Sequence, residues 1–269
     1  MDLNLLIYVD DITLMSSDAT LSTTIKDFLE TKFRIKDLSS LKYFLGMEVG
    51  CSQTSIQLSQ HKYALEILSE TDILASKPSP LPVEPNIKLK KNEGEVFPDP
   101  ALYRKLVGKL LYLTNTLSDL SYNINLLSQF MENPRVPHYD AIIKVLKYVK
   151  NTPRQGIFFP ASSTMELVYS DANWANCPNT CRSTTTFCVF IDNSLVSWKS
   201  NKHNTISRSC AESKYRAMVV VVCKPTWFRY LLSDLCITIK TPATLYCDNT
   251  AALNIFASPF FTSAQSILS

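Results

Sequence analysis

The sequence predicts an α/β protein, with β-hairpins and helices in its first half and a mixed sheet covered by helices in its second half. Two observations predict this class. Runs rich in β-branched and aromatic residues alternate with segments whose apolar residues recur every three to four positions. In the second half the order is three strands, a helix, a strand and a helix, which is typical of an α/β layer with a mixed sheet.

The composition is that of a globular protein with a small positive charge. A length of 269 residues allows one large domain or two ordinary ones, and a net charge of +3 does not by itself indicate nucleic acid. No apolar run reaches the roughly 18 residues of a membrane span, and the start does not resemble a signal peptide. The scattered cysteines are typical of reduced thiols, so we expect an intracellular protein without a membrane partner, in the cytoplasm or the nucleus.

The first stretch, LLIYVDDITLM at residues 5–15, predicts a β-hairpin with strands at 5–9 and 12–15. Asp10 and Asp11 fall between the strands. Asp suits a tight turn, because it tolerates unusual backbone angles and bonds to its own backbone. Two adjacent carboxylates at a hairpin tip can also hold Mg²⁺ together with phosphate oxygens. The residues alone leave both interpretations open.

Further elements follow the hairpin. A helix carrying Leu21, Ile25, Phe28, Leu29 and Phe33 precedes strands at 41–49 and 55–58, with a turn at Gly50, and a helix at about 61–71. Prolines at 78, 80, 82 and 85 exclude regular structure, so we predict a linker over 76–100. Helices then follow at 102–115, 120–131 and 138–150.

The last of these helices places three lysines, Lys144, Lys147 and Lys150, along one outer face. A basic helix face can follow a phosphate backbone, although most such faces are merely solvated. Lys105 and Lys109 on the first of these helices could add to such a surface. Nucleic-acid binding and simple solvation both remain open at this point.

The second half predicts strands at 165–171, 186–192 and 195–200, with a hairpin turn at Asp192-Asn193. A helix from 210 to 222, a second helical stretch through 235, a strand at 243–247 and a helix from Asn249 complete the order. Cys177 and Cys181 with His203 have zinc-like spacing, but no second ligand pair follows, which disfavours a zinc site.

Three carboxylates lie at notable positions in this order. Asp171 ends the first strand, Glu212 opens the long helix and Asp248 ends the fourth strand. If the first and fourth strands are central neighbours, Asp171 and Asp248 converge and the helix can add Glu212. Three converging acids without basic partners would bind hard divalent cations, a pair of which can hydrolyse phosphodiesters. The alternative is two turn residues and a solvated helix residue.

Several motifs together resemble the C-terminal part of the Pol polyprotein of Ty1/copia-type LTR retrotransposons, over nearly the whole chain. YVDD, KFRIKDLSSLKYFLGMEV and QLSQHKYALEIL are similar to the end of its reverse transcriptase. YRKLVGKLLYLTNTLSDLSYNINLLSQFM is similar to its connecting region. YSDANWA, RSTTTFCVF, SWKSNKHNTISRSCAESKYRAM and LYCDN are similar to its ribonuclease H.

The resemblance implies a domain order and a function. It implies a palm remnant of the polymerase (a β-hairpin plus helix) at 1–75, the proline-rich linker at 76–100, connecting helices at 101–160 and an incomplete ribonuclease H-like mixed sheet at 161–269. The family activities are RNA-directed DNA synthesis and RNA cleavage in RNA–DNA hybrids, with Mg²⁺. Its implied catalytic and metal-binding residues are Asp10, Asp11, Asp171, Glu212 and Asp248. An RNA–DNA hybrid is the implied partner.

Departures from the family pattern reduce the expected activity. The third palm carboxylate and the fingers are missing, so we expect no polymerase activity. Lys214 stands where the family usually has an acid, and Pro225 interrupts a helix at a cost of about 3 kcal/mol. A fourth acid and a last strand are also missing. We therefore expect weak ribonuclease H activity at most.

The missing strand has a further expected consequence. It predicts an exposed edge at 244–247 and self-association, to which an apolar tail at 256–268 would contribute. Two other interpretations stay open: a non-catalytic nucleic-acid-binding or interaction module, and a relic of a decayed element without a selected role.

Overall fold

The computed structural model describes residues 3–16, 18–84, 87, 89–161, 166–177, 179–191, 193–237 and 242–258, except for the side chains of 166 and 167. The described residues form a mixed α/β structure, as the sequence predicts, with a two-stranded sheet, two four-stranded sheets and a group of helices. Among the described residues, no helix combines the length and the apolar character that a membrane crossing requires.

The N-terminal hairpin pairs β1 (Leu3–Tyr8) with β2 (Asp11–Ser16), and α1 (Ala19–Lys32) follows it. The hairpin prediction is confirmed, but the turn is one residue earlier than expected. Tyr8 pairs with Asp11, so the loop consists of Val9 and Asp10. Two-residue loops match the twist of the strands and use positive φ, and Val9 adopts φ 50° although this is unfavourable for a β-branched residue.

The second sheet has the order β3-β4-β5-β6, with every pair antiparallel. The predicted strand at 41–49 is split by a turn at Leu45-Gly46, where both residues have positive φ. The turn predicted at Gly50 is wrong, because Gly50 lies within a strand and pairs with Gln57. The strands are β3 (Tyr43–Phe44), β4 (Met47–Cys51), β5 (Ser55–Ser59) and β6 (Gly156–Pro160).

Strand β6 was not predicted, and it returns from the end of the helical region to pair with β5. Gly156 makes this approach possible. A Cβ atom at Gly156 would lie 2.0 Å from the carbonyl oxygen of Leu58, which no larger residue could tolerate without moving the strand. Strands from before and after the helical region are thereby joined in one sheet.

The helical core is the best-buried part of the described chain. It is built around one continuous apolar cluster that includes Ile67, Leu106, Leu110 and Leu146. An Asp99 side chain caps the second of its helices and Pro100 occupies the first turn, where a missing N–H is harmless. The helices are α2 (His61–Glu70), α3 (Pro100–Leu113), α4 (Ser121–Ser128) and α5 (Val136–Asn151).

The segment at 76–100 differs from the predicted linker. Its described residues are largely irregular, as the prolines require, but Val83, Leu89 and Phe97 are buried in the helical core. Phe97 stacks on Tyr139 with ring centroids 4.2 Å apart, and its N–H donates to the carbonyl of Pro134 at 3.0 Å. Among the described residues of the segment, these three side chains therefore pack into the helical core, which a fully solvated linker would not do.

The second-half sheet has the order β10-β7-β8-β9, in which β10 is parallel to β7 and the other pairs are antiparallel. The predicted order of elements is confirmed. Ile191 pairs with Ser194 across the predicted hairpin turn, of which Asp192 lies outside the described residues. The strands are β7 (Glu166–Asn173), β8 (Thr184–Ile191), β9 (Ser194–Lys202) and β10 (Thr244–Tyr246).

Helix α6 (Cys210–Asp234) covers this sheet and is one helix, where the sequence predicted two. It continues past Pro225, which lies on its buried face. Val221 packs against Val168, Phe187 and Val189 of the sheet. Helix α7 (Thr250–Ala257) is preceded by Asn249, whose side chain caps it by accepting the N–H of Ala252. Within the described residues β10 pairs only with β7, and most of the predicted apolar tail lies outside them.

Candidate active site

Asp171 and Asp248 lie at the same end of two neighbouring strands. Tyr169 of β7 pairs with Tyr246 of β10, and each Asp follows its Tyr by two residues. The strands are parallel, so both carboxylates come at the carboxyl edge of the sheet. The two tyrosine rings stack with centroids 5.0 Å apart, next to a cavity of about 480 Å³ that both aspartates also line. The structure thus brings these two predicted site residues together.

The side chain of Lys214 joins the two aspartates. Its Nζ lies 2.9 Å from Oδ1 of Asp171 and also donates to Oδ1 of Asp248. The Lys214 side chain is only 11% exposed, against 53% for Asp171 and 71% for Asp248. Burial opposes the charge of the ammonium, but its hydrogen bonds to Asp248 and Asp171 outweigh this and raise the pKa of Lys214.

The pKa of Asp248 shifts in the opposite direction to that of Lys214. The hydrogen bond from Lys214 lowers the pKa of the Asp248 carboxyl, so the ionised form is favoured. Oδ1 of Asp171 additionally accepts the N–H of Ala172 at 2.7 Å, which helps to fix this carboxylate. The result is one buried ammonium held between two carboxylates, each of which has a free side toward solvent.

Glu212 has different partners. It lies in the first turn of α6, as predicted, where Ser209 caps the helix by accepting the N–H of Glu212 at 3.1 Å. One carboxylate oxygen of Glu212 accepts the N–H of Arg208 at 2.8 Å, and the other binds Arg216 through Nε at 3.0 Å and Nη2 at 2.8 Å. The Arg208 N–H and then Arg216 lower the pKa of Glu212.

Helix geometry separates Glu212 from Lys214. Residues two apart on an α-helix point about 200° apart around its axis, so the two side chains cannot share one face. The buried stripe of α6 runs from Lys214 through Ala217, Met218 and Val221. Lys214 is therefore directed at the sheet, and this apolar stripe is the sequence signal that could have revealed its position.

The predicted cluster of three carboxylates is not formed. Over the part of the chain that the structure describes, no three or more His, Cys, Asp or Glu side chains are grouped so that they could hold a metal ion. The expectation that these acids lack basic partners is wrong. Lys214 binds two of them and Arg216 binds the third.

The family implied by the sequence motifs uses Mg²⁺, and the residues present do not fit such an ion well. Divalent cations need carboxylate oxygens that face a shared position. At Asp171 and Asp248 one oxygen of each carboxylate already binds the Lys214 ammonium. A divalent ion between these two aspartates would have to displace a buried lysine.

Asp10 and Asp11 occupy the exposed tip of the N-terminal hairpin. Asp10 is in the loop and Asp11 is the first residue of β2, so they belong to different local geometries. In the described ranges no third acid, His or Cys completes a metal-binding group with them. The strand residues beside them are also exposed: Ile7 is 61% exposed and Tyr8 is 55% exposed.

The predicted basic face of α5 lies largely against the segment at 76–84. The Lys144 ammonium forms an ion pair with Glu84, and the Lys150 ammonium donates to the carbonyl of Ser76. The carbonyl of Lys147 accepts the N–H of Ser79 at 3.0 Å. Two of the three predicted nucleic-acid-binding lysines thus have partners within the chain.

Comparison with known proteins places the chain among retrotransposon proteins. A family profile described as reverse transcriptase (RNA-dependent DNA polymerase) matches residues 2–85. The retrovirus-related Pol polyproteins from transposons RE1 and RE2 of Arabidopsis thaliana are each 38% identical over 96% of this chain. The chain spans 18% of the length of each. An uncharacterised mitochondrial protein of Arabidopsis thaliana is 38% identical over 83% of this chain and 93% of its own length.

Proposed function

Because the chain belongs to the Ty1/copia-type family of retrotransposon Pol proteins, we propose that it is a reverse transcriptase and ribonuclease H derivative with little catalytic activity of its own. By itself it synthesises no DNA, and it cleaves the RNA of an RNA–DNA hybrid weakly at most. The observation that carries this proposal is the pairing of all three predicted nuclease carboxylates with cationic side chains of the same protein.

The polymerase part of the proposal rests on the hairpin. Asp10 and Asp11 have no third ligand among the described residues, and two carboxylates are a poor cage for the two ions of nucleotidyl transfer. Nothing in the described hairpin holds a template or a nucleotide in position for attack. Primer extension on a poly-rA/oligo-dT template tests this. We expect the rate of a no-enzyme blank, and extension that Asp10→Asn abolishes would contradict the proposal.

The nuclease part rests on charge. Asp171, Asp248 and Glu212 contribute three negative charges, and Lys214 and Arg216 compensate two of them. Electrostatic attraction for metal ions is thereby greatly reduced at this edge of the sheet. Hybrid cleavage would require the acids to exchange these partners for ions and substrate. This exchange raises the activation free energy of cleavage.

A hybrid-cleavage assay with purified full chain and Mg²⁺ is the direct test. We expect cleavage of labelled RNA barely above a blank, and an Asp248→Asn variant that differs little from wild type. Strong Mg²⁺-dependent cleavage that Asp248→Asn abolishes would contradict the proposal and would establish an active ribonuclease H.

Binding of nucleic acid without cleavage is the second candidate function. It is favoured by the same neutralisation, because Lys214 removes much of the repulsion that Asp171 and Asp248 would exert on a phosphate backbone. Fluorescence anisotropy with a labelled RNA–DNA hybrid tests it at several salt concentrations. We expect Lys147→Gln to reduce the salt dependence of hybrid binding. Lys144→Gln should change it less, because the Lys144 ammonium is already paired with Glu84.

An intracellular location and self-association through β10 stay predictions.

A further inference from the structure

The Asp171–Asp248 pair already contains a cation. We infer that the Lys214 ammonium is the resident cation of this pair, and that it excludes divalent ions from a position the two carboxylates would otherwise offer them. The inference deepens the proposed function and concerns the same acids, but its test measures ion binding and not hybrid cleavage. An experiment can therefore contradict the inference and leave the proposed function intact, or the reverse.

The geometry supports a fixed ammonium and not a mobile surface lysine. Nζ of Lys214 contacts one oxygen of each aspartate, so it occupies the point between them. Its side chain is 11% exposed and starts from the buried face of α6, next to Ser213 and Ala217, which are fully buried. A lysine held at its base by packing and at its tip by two carboxylates has little freedom to leave.

Displacement by a divalent ion would be unfavourable for two reasons. If Lys214 stayed nearby, its positive charge would repel the ion at a distance of a few ångströms. If it moved away from the aspartates but remained buried, it would be an unpaired charge in a poorly hydrated position, which is costly. Mg²⁺ also loses its own hydration water reluctantly, which adds to both barriers.

The pair is otherwise well arranged for an ion. Parallel strands hold Asp171 and Asp248 side by side, and the Ala172 N–H fixes the orientation of Asp171. Both carboxylates keep a side exposed to solvent, through which an ion and its waters can enter. Removal of the lysine charge should therefore turn the pair into a divalent-ion site.

Titration with Mn²⁺, followed by electron paramagnetic resonance of the free ion, tests this on the full chain. The variants are Lys214→Gln and, as a matched control, Lys224→Gln, an exposed lysine on the same helix. We expect Lys214→Gln to bind one Mn²⁺ at least about tenfold more tightly than wild type, which corresponds to about 1.4 kcal/mol. Lys224→Gln should match wild type, and adding Asp248→Asn to Lys214→Gln should remove the gain. Equal affinity of wild type and folded Lys214→Gln would overturn the inference.

A second measurement uses wild type only and does not depend on the stability of a variant. Lysines are acetylated with an N-hydroxysuccinimide ester, and the modification of each is followed by mass spectrometry with and without Mn²⁺. We expect Lys214 to react much more slowly than Lys224, and Mn²⁺ to leave its rate unchanged. Faster acetylation of Lys214 on adding Mn²⁺ would show that the ion displaces it, and would overturn the inference.

Discussion

The helical core and the second-half sheet are stabilised in different ways. In the helical core, side chains from α2 to α5 and from the segment at 76–100 pack together in one apolar cluster. Leu110 and Val145 are fully buried in this cluster. In the sheet, the buried cluster around Val189 and Val221 is small, and the edge at β10 is held to α6 by an ion pair. Hydrophobic burial stabilises the helical core, whereas an ion pair contributes to the stability of the second-half sheet.

Because of this difference, we expect the stability of the two regions to depend on different solution conditions. Burial of apolar surface is independent of pH and is not weakened by salt. An ion pair depends on the protonation of both partners and is screened by salt when it is partly exposed.

Shortening a buried side chain of the helical core should have the largest effect on stability. Leu110→Ala removes a fully buried side chain, and we expect it to lower the free energy of unfolding by about 2–5 kcal/mol. The matched control is Leu6→Ala in the N-terminal hairpin, where the side chain is 48% exposed and the expected change is within about 0.5 kcal/mol. Urea denaturation followed by circular dichroism measures both. Equal effects would contradict the burial of Leu110 as a main source of stability in the helical core.

His138 is a pH-sensitive residue of the helical core. Its ring is buried against Phe130, with Nδ1 accepting the Arg135 N–H at 3.0 Å and Nε2 near the carbonyl of Lys90 at 3.1 Å, so it is held neutral. Burial lowers the pKa of His138. The unfolded chain therefore takes up a proton first, and the contribution of neutral His138 is lost as pH falls below about 6.5.

The measurement is the free energy of unfolding of wild type and His138→Gln between about pH 7 and about pH 5. We expect wild type to lose stability over this range and His138→Gln to lose less. A residual slope should remain, because burial also lowers the pKa of His203. Identical slopes in the two proteins would contradict a buried neutral His138.

The ion pair of the sheet should respond at lower pH. Lys214 lowers the pKa of Asp248, so the stabilisation is present above the ordinary Asp pKa of about 3.9 and is lost as pH falls through the lowered value. We expect Lys214→Gln to be less stable than wild type near neutral pH, with the difference shrinking below about pH 4. Lys224→Gln is again the control. A difference that persists at acid pH would mean that Lys214 stabilises by packing alone.

The smallest effect should come from the surface ion pair of Lys144 and Glu84. The Lys144 side chain is 30% exposed and that of Glu84 is 65% exposed, so solvent screens the pair. A double-mutant cycle with Lys144→Gln and Glu84→Gln should give a coupling energy below about 1 kcal/mol, and less at high salt. A larger coupling would show that charge also contributes substantially to the closure of the helical core.

The sequence predicted the features that follow from periodic patterns. The hairpin at 5–15, helix α2 and the order of elements from β7 to α7 all carry clear hydrophobic periods. The meeting of Asp171 and Asp248 follows from that order, because parallel neighbouring strands end at the same edge. These parts of the fold and of the site were therefore accessible before any coordinates.

Other features give no periodic signal. Val83, Leu89 and Phe97 are isolated apolar residues among prolines and polar residues. The sequence pattern therefore could not distinguish a segment that packs on the core from a solvated linker. Strand β6 pairs with β5 across the whole helical region, and such distant pairing leaves no local trace. The family resemblance marks Lys214 only as a position that usually carries an acid, whereas its place at the head of the buried stripe of α6 indicates that it faces the sheet.

The lysine at position 214 also has a genetic consequence. Lysine and glutamate codons differ only in their first base, so a single nucleotide change exchanges the resident cation for another carboxylate beside Asp171 and Asp248. If Lys214 excludes divalent ions, an inherited change of that one base would replace the ammonium between the two aspartates with a third carboxylate. Copies of this gene that differ at this codon would then form a natural series, in which loss or recovery of ion binding can be compared on an otherwise unchanged fold.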